Sequence, residues 1–191
     1  MPAKFNIDIS RGLLRQARQV PSGNCDARPE DCEPQLIVLH GISLPPGQFG
    51  GPEIEALFTN CLDWEAHPYF AEIRGLEVSA HLLLRRDGEL IQFVPFTHRA
   101  WHAGESTFRG RSRCNDFSIG IELEGQDETP YDDRQYDVLT DVVQALLVSY
   151  PRISSRELAA HSDITGGRKT DPGPAFDWLR LYDGLGNASG S

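Results

Sequence analysis

The sequence has no long apolar run and little positive charge. None of its 191 residues lies in an apolar stretch of the roughly 18–20 residues that a transmembrane helix requires. Lys and Arg number 18 against 28 Asp and Glu, and the resulting net charge of −10 repels DNA, RNA and anionic membranes. We therefore expect neither a nucleic-acid partner nor a membrane partner.

Signals of secretion are also lacking. The segment Met1–Ser10 contains no apolar run and no lipidation motif, which predicts a cytoplasmic location. The cysteines Cys25, Cys32, Cys61 and Cys114 form no CxxC pair, and the cytosol keeps thiols reduced. We expect them to be ordinary structural or surface thiols.

The composition is that of one globular domain. Apolar residues make up 39% and charged residues 24% of the chain, and 191 residues suit one domain better than two. We divide the sequence into an N-terminal extension packed on the domain (residues 1–34), the main domain (residues 35–183) and a flexible C-terminal tail (residues 184–191). We expect the protein to be a monomer.

Short apolar runs accompany one strongly amphipathic helix. The predicted strands are Gln35–His40, a hairpin within Val78–Val94 that turns at Asp87-Gly88, Phe117–Glu124 and Leu158–His161. The predicted helices are Asp132–Tyr150, with apolar residues every three or four positions, and the shorter Phe176–Tyr182. Hairpin strands combined with crossover helices predict an α/β (α+β) domain with a mixed central β-sheet flanked by helices.

Two histidines stand at the ends of predicted strands. His40 and His161 each close an apolar run, and Asp171 follows ten residues after His161. Two imidazoles and one carboxylate suit zinc and leave its fourth position open, and strand ends are where open α/β sheets build their sites. On spacing alone, such histidines are more often core or surface residues than metal ligands.

Glu122 is a candidate general base. Strand alternation puts it on the face opposite Ile119, Ile121 and Leu123, beside Gly120, which leaves room for another group to approach. A glutamate beside a metal can take a proton from water. The alternative is a solvated strand face, and Glu124 on the same face is a competing candidate.

Other residues near these positions suit substrate contacts. Lys169 precedes Asp171 by two residues and is either an oxyanion-stabilising group or a surface lysine. Arg111 and Arg113 form either a cationic edge for carboxylates or a solvated edge. The dipeptide Trp101-His102 supplies either an aromatic wall or core packing.

Together these residues lie in motifs that carry a resemblance to a known family. The motifs are Val38–His40, Ile42–Gly50, His67–Phe70, Val78–His81, Arg99–Gly104, Cys114–Gly125 and Arg168–Trp178. In this order, over about residues 12–182, they resemble the AmpD family of bacterial 1,6-anhydro-N-acetylmuramyl-L-alanine amidases. These zinc amidases are related to phage amidase-lysozymes and peptidoglycan recognition proteins.

The resemblance implies an enzyme of cell-wall recycling. It would hydrolyse the amide between (1,6-anhydro-)N-acetylmuramic acid and L-alanine of muropeptides, and its loss would let muropeptides that induce β-lactamase accumulate. The implied zinc ligands for one Zn²⁺ per chain are His40, His161 and Asp171. Glu122 would be the catalytic glutamate and Lys169 the lysine that assists at the transition state.

Substrate contacts are implied less fully. Arg113 matches an arginine that contacts the stem peptide, while Gly41 and Glu77 depart from the family's usual Asn and Arg. These two departures remove possible polar contacts to the peptide. The alternatives are a non-catalytic muropeptide-binding module on the same fold, or a structural zinc with Cys114 or His102 as fourth ligand.

The segment of residues 41–77 is a candidate wall or lid of the cleft, because it follows a ligand-bearing strand and has little pattern. The glycines Gly47, Gly50 and Gly51 favour partial mobility. Apolar residues such as Leu57, Phe58 and Phe70 favour a rigid packed excursion instead.

Overall fold

The computed structural model describes residues 4–188 of the chain. Its strands are β1 (Ile7–Asp8), β2 (Leu13–Leu14), β3 (Arg18–Gln19), β4 (Cys25–Ala27), β5 (Leu36–Ile42), β6 (Leu82–Leu84), β7 (Leu90–Gln92), β8 (His98–Ala100), β9 (Thr107–Phe108), β10 (Arg111–Ser112), β11 (Ser118–Glu124) and β12 (Leu158–Ala160). Its α-helices are α1 (Glu53–Phe58), α2 (Pro68–Glu72), α3 (Asp133–Ser149), α4 (His161–Ile164) and α5 (Trp178–Ala188).

Six strands form one mixed sheet in the order β12–β5–β11–β6–β7–β3. The pairs β12–β5, β5–β11 and β11–β6 are parallel, β6–β7 is antiparallel, and β7–β3 is parallel. All seven residues of β11 are buried, because helices and loops cover both faces of the sheet. The predicted fold class is thus confirmed.

One face of the sheet packs against α3 and α5. Ile119, Ile121 and Leu123 of β11 join the same core cluster as Leu139 and Leu146 of α3. The long helix begins at a capping box, in which the Asp132 carboxylate accepts from the N–H of Arg134 and Gln135 reaches back to the N–H of Asp132. The helix predicted over Asp132–Tyr150 is thus observed over Asp133–Ser149.

The opposite face carries the even-numbered residues of β5 and β11. Part of it is covered by the excursion of residues 41–77, where Phe58 of α1 and Phe70 of α2 pack near Leu83 of β6. Short α4 and the loop after β10 cover the remainder, with Ile164 and Cys114 near Val38. Between these two groups the carboxyl ends of β5 and β11 lie open to a cleft.

The predicted hairpin is present with shorter strands than its sequence run. Leu84 of β6 pairs with Leu90 of β7, and Gly88 has φ 90°, the left-handed region that a tight turn requires. No helix within residues 4–188 is both long and apolar enough to cross a membrane.

Both termini contribute to the domain. In the N-terminal segment Leu14 is fully buried, and Arg18 of β3 pairs with Ile91 at the sheet edge. At the other end α5 continues to Ala188, so residues 184–188, assigned to a flexible tail, are helical. Residues 189–191 of that predicted tail lie outside the described residues.

Candidate active site

The central parallel pair of strands brings the first two candidates together. His40 on β5 and Glu122 on β11 are register partners, so they occupy equivalent positions on one face of the sheet. The distance between His40 Nδ1 and Glu122 Oε1 is 4.0 Å. Glu122 is only 9% exposed, which excludes the solvated strand face considered above.

His161 and Asp171 reach the same point from the neighbouring strand. His161 follows β12, which pairs with β5, and begins α4. The N–H of Ser162 donates to the carbonyl of Asp171, which fastens the returning loop. The Asp171 Oδ2 atom lies 3.3 Å from His40 Nδ1 and 3.1 Å from His161 Nδ1.

Burial and neighbouring groups set the charges of this cluster. Burial lowers the pKa of His40 to about 4, against the raising effect of Asp171. Burial alone would raise the pKa of Asp171, but hydrogen bonds with His161 and His40 outweigh it and hold that pKa below its ordinary value. A neutral imidazole beside an ionised carboxylate is the state in which both can bind a metal.

Glu122 differs from its neighbours because one oxygen has no partner. Its Oε2 atom is buried and accepts no hydrogen bond in the structure. Burial and the nearby Asp171 raise the pKa of Glu122 well above its ordinary value, while Lys169 opposes this effect. An unpaired, proton-attracting carboxylate at the edge of a cleft is typical of a general base.

The cleft has a volume of about 520 Å³ and two unlike sides. Its apolar side is lined by Leu44, Phe58, Tyr69, Ile73 and Val78. Its polar side includes Gln126, Asp127, Lys169 and Thr170, next to His40, Glu122, His161 and Asp171. As predicted from their spacing in the sequence, Lys169 and Asp171 face the same space. The cleft suits a ligand that is apolar on one side and polar on the other.

Arg111 lies outside this cleft, and its predicted role in substrate binding stays a prediction. Its guanidinium stacks 3.8 Å from the ring centroid of Phe117 and donates to Gln35 Oε1 at 3.1 Å. Gln35 precedes β5, so this contact is about 16 Å along the strand from His40 at roughly 3.3 Å per residue. The Arg111 side chain is therefore engaged at the opposite end of the strand.

Trp101 and Arg113 do not line the cleft either. Trp101 is half-buried, and its backbone N–H donates to Ser79 Oγ at 3.1 Å. The side chain of Arg113 is 71% exposed, with Nε 3.3 Å from the Asp116 carboxylate. Direct contact of Trp101 with substrate is unsupported by this placement. The peptide contact of the exposed Arg113 stays a prediction.

His102 does border the cleft, and Gly120 makes its position possible. A Cβ atom at Gly120 would lie 2.5 Å from Cγ of His102, so only glycine accommodates the ring there. This agrees with the expectation that Gly120 leaves room for an approaching group. The sequence around Gly120 does not show that this group is His102, because His102 lies in a separate loop of the chain.

Tyr131 is a residue that the sequence interpretation missed. Its hydroxyl donates to the carbonyl of Pro172, next to Asp171, at 2.9 Å. A Cβ atom at Gly41 would lie 2.4 Å from that hydroxyl oxygen, so Gly41 and Tyr131 fit as a pair. The departure from Asn at position 41 thus has a local packing reason, and no motif marks Tyr131 in advance.

The residues fit a metal ion by the chemistry of their donors. One ligand atom each from His40, His161 and Asp171 lies within 4.8 Å of the others. Neither Cys114 nor His102 belongs to this group, so a structural site with a fourth ligand from either residue is not supported. Three protein donors beside an unpaired glutamate oxygen are typical of a catalytic zinc site.

Comparison with known proteins places the chain among amidases. The family model described as N-acetylmuramoyl-L-alanine amidase matches residues 30–174. The 1,6-anhydro-N-acetylmuramyl-L-alanine amidase AmpD of Enterobacter cloacae is 59% identical over 181 residues, covering 95% of this chain and 96% of that protein.

Solved structures agree with this similarity. A crystal structure of a selenomethionine AmpD derivative has a TM-score of 0.90 and 56% identity, covering 94% of this chain and 98% of its own. The Escherichia coli amidase AmiD, solved with the substrate anhydro-N-acetylmuramic acid-L-Ala-D-gamma-Glu-L-Lys, has a TM-score of 0.57 and 28% identity, covering 82% of this chain and 60% of its own. The chain belongs to the N-acetylmuramoyl-L-alanine amidase family.

Proposed function

We propose that the protein is a zinc-dependent amidase that cleaves the bond between 1,6-anhydro-N-acetylmuramic acid and L-alanine in muropeptides. The observation that carries this proposal is a donor set beside the unpaired oxygen of Glu122. The set consists of buried His40 and His161 with half-buried Asp171. The names of the similar AmpD proteins and the substrate bound to AmiD support the substrate class.

His40, His161 and Asp171 would hold the ion. A bound zinc ion lowers the pKa of a coordinated water towards about 7 and polarises a carbonyl group. The chain supplies two imidazoles and one carboxylate for this purpose, with both histidines buried and Asp171 half-buried in the cleft.

Glu122 and Lys169 would carry the proton and the charge of the reaction. Glu122 takes a proton from the attacking water, whose oxygen bonds to the carbonyl carbon of the lactyl amide. Glu122 then gives the proton to the nitrogen of L-alanine as the C–N bond breaks. The Lys169 ammonium group faces the same cleft and stabilises the negative charge that develops on the carbonyl oxygen.

The products are a free carboxyl group on the sugar and a peptide with a free amino terminus. Hydrolysis of this kind belongs to the recycling of cell-wall fragments in the cytoplasm, which is where we place the protein. A module that only binds muropeptide would have no use for an unpaired carboxylate beside a complete metal-donor set.

The test is turnover of a purified anhydro-muramyl peptide, followed by mass spectrometry of both products together with metal analysis. We expect about one zinc ion per chain, loss of turnover with a chelator and recovery on adding zinc. His161→Ala should lose zinc and activity together. A zinc-loaded wild-type protein that releases neither product would instead support the binding module.

A further inference from the structure

The second ring nitrogen of His40 is engaged by another histidine. His40 Nε2 lies 2.9 Å from His102 Nδ1, and His102 Nε2 lies 3.1 Å from Ser118 Oγ. Resting on the proposed function, we propose that His102 is a positioning residue: it accepts the Nε2 proton of His40 and thereby presents an unprotonated His40 Nδ1 to the metal.

The proton positions along this chain of contacts follow from the metal site. A ring nitrogen that binds a metal carries no proton, so neutral His40 with Nδ1 as ligand keeps its proton on Nε2. His102 Nδ1, the atom facing it, must then act as the acceptor. The proton of His102 consequently lies on Nε2, where Ser118 Oγ accepts it. A single assignment satisfies both contacts.

The fold holds the His102 ring firmly in this position. The Asn115 side chain accepts hydrogen bonds from the N–H groups of His102 and Ala103, at 3.2 and 2.8 Å. The ring lies over Gly120, meets the His40 ring edge-on with centroids 5.0 Å apart, and leaves His102 only 8% exposed. This geometry fixes which nitrogen faces His40.

Both nitrogens of His102 are therefore used within the protein. The ring has none left to bind a substrate group, although it borders the cleft. This reassigns His102 from the predicted substrate contact to support of the metal ligand. Partners that orient a metal-binding histidine usually contribute about 10–100-fold in metal affinity.

Three variants of the full chain test this role: His102→Leu, His102→Asn and Ser118→Ala. The leucine cannot accept a proton, whereas the amide oxygen of asparagine lies near the position of Nδ1 and can accept one. Ser118→Ala keeps the ring but removes the acceptor for Nε2–H. Zinc Kd is measured by competition with a fluorescent chelator, and Co²⁺ absorption spectra report the ligand geometry.

We expect zinc Kd to rise about 10–100-fold in His102→Leu, only a few-fold in Ser118→Ala, and hardly at all in His102→Asn. The Co²⁺ spectrum should change in the leucine variant and recover in the asparagine variant. If the leucine variant does not fold, the other two variants still test the inference. Zinc Kd should then be a few-fold higher in Ser118→Ala than in wild type, and close to wild type in His102→Asn.

Two results would overturn the inference. The first is a wild-type zinc Kd and a wild-type Co²⁺ spectrum in folded His102→Leu protein. If that variant does not fold, the same result in Ser118→Ala counts instead. The second is an unchanged zinc Kd combined with a raised KM for anhydro-muramyl peptide, which would make His102 a substrate contact. If the wild-type protein bound no zinc, that result would contradict the proposed function itself. It is therefore distinguishable from the two results above.

Discussion

Two glutamates on the same face of β11 end in opposite surroundings. Glu124 is 2% exposed, and its Oε1 atom accepts hydrogen bonds from the N–H of Gly50 at 2.6 Å and from Arg85 at 3.2 Å. Glu122, two residues earlier, has an oxygen with no partner at all. Both are buried carboxylates, yet only Glu122 is free to bind a proton or a ligand.

The two glutamates belong to two polar clusters with different charge balance. The arginine cluster consists of Arg18, Glu55, Arg85, Glu89 and Glu124. In it, each carboxylate contacts a guanidinium. The metal cluster consists of His40, Glu122, His161 and Asp171. It pairs two carboxylates with imidazoles, one of which, His40, has its pKa lowered by burial to about 4. A divalent cation would complete the metal cluster, whereas the arginine cluster needs none.

Glu122→Gln should give the largest effect, because it removes the one buried carboxylate oxygen without a partner among residues 4–188 while keeping the side-chain shape. We expect kcat to fall by about 10²–10⁴-fold, as for a lost general base. Zinc content should stay at the wild-type level. Steady-state kinetics and metal analysis on the same preparation measure both. Turnover within a few-fold of wild type would show that another group carries out the proton transfer.

A pH control sharpens the same comparison. The pKa of Glu122 is raised on folding, so its contribution to stability is lost as pH rises through the folded pKa. In chelator-treated protein, Glu122→Gln should therefore unfold at a higher temperature than wild type at pH 7. Below about pH 4.5, the ordinary pKa, the difference should vanish because the carboxyl group is protonated in both states.

Lys169→Ala should have the next largest effect on activity. Lys169 lines the cleft beside the metal cluster, and in the proposed reaction it stabilises the charge that develops on the carbonyl oxygen. We expect kcat to fall by about 10²–10³-fold, the usual cost of losing one oxyanion donor. Zinc content should not change. A rise in KM with unchanged kcat would instead assign Lys169 to substrate binding.

Glu124→Gln applies the same chemical change to the arginine cluster and should affect stability rather than turnover. The loss of charge weakens the contacts with Arg85 and with the N–H of Gly50, at an expected cost of about 1.5–3 kcal/mol in the free energy of unfolding. Urea unfolding of both proteins measures this difference in the free energy of unfolding. We expect kcat to stay within a few-fold of wild type; a loss as large as that of Glu122→Gln would erase the distinction between the clusters.

The metal cluster was more predictable from sequence than the arginine cluster. His40 comes at the end of an apolar run, and Glu122 lies in a run in which apolar and other residues alternate. These local patterns mark both residues as candidates for a site. The partners of the Glu124 carboxylate are Arg85, the N–H of Arg86 and the N–H of Gly50, which are 39, 38 and 74 residues away in sequence. No local pattern joins them. The interpretation therefore left Glu124 as a competitor of Glu122, and tertiary contacts decide between them.

Long elements were likewise predicted better than short ones. The periodic segment of α3 was predicted almost to the residue, as Asp132–Tyr150 against the observed Asp133–Ser149. Two-residue strands such as β3 and β10 have no measurable periodicity, which explains why the sheet-edge position of β3 was missed. The same limitation affected Arg111, because β10 pairs with β9 and turns this side chain towards Phe117 instead of the cleft.

The smallest expected effect concerns motion in the wall of the cleft. Within residues 41–77 the structure provides two kinds of anchor. Helix α1 buries Ile54, Leu57 and Phe58. The stretch of residues 46–50 is exposed, and the N–H of Gly50 donates to Glu124. We expect hydrogen exchange to be slow in α1 and fast in residues 46–50, so that only the loop is mobile.

Glu124→Gln tests this division because it loosens the loop without touching the core of α1. Exchange in residues 46–50 should become a few-fold faster, while α1 and β11 keep their wild-type rates. A muropeptide product should slow exchange in the loop of the wild-type protein if the loop closes on ligand. If residues 41–77 all exchange as slowly as β11, with or without product, the wall is rigid and the cleft is preformed. The contact of Glu124 with Gly50 would then be one more packing interaction of the arginine cluster, with no part in admitting substrate to Glu122.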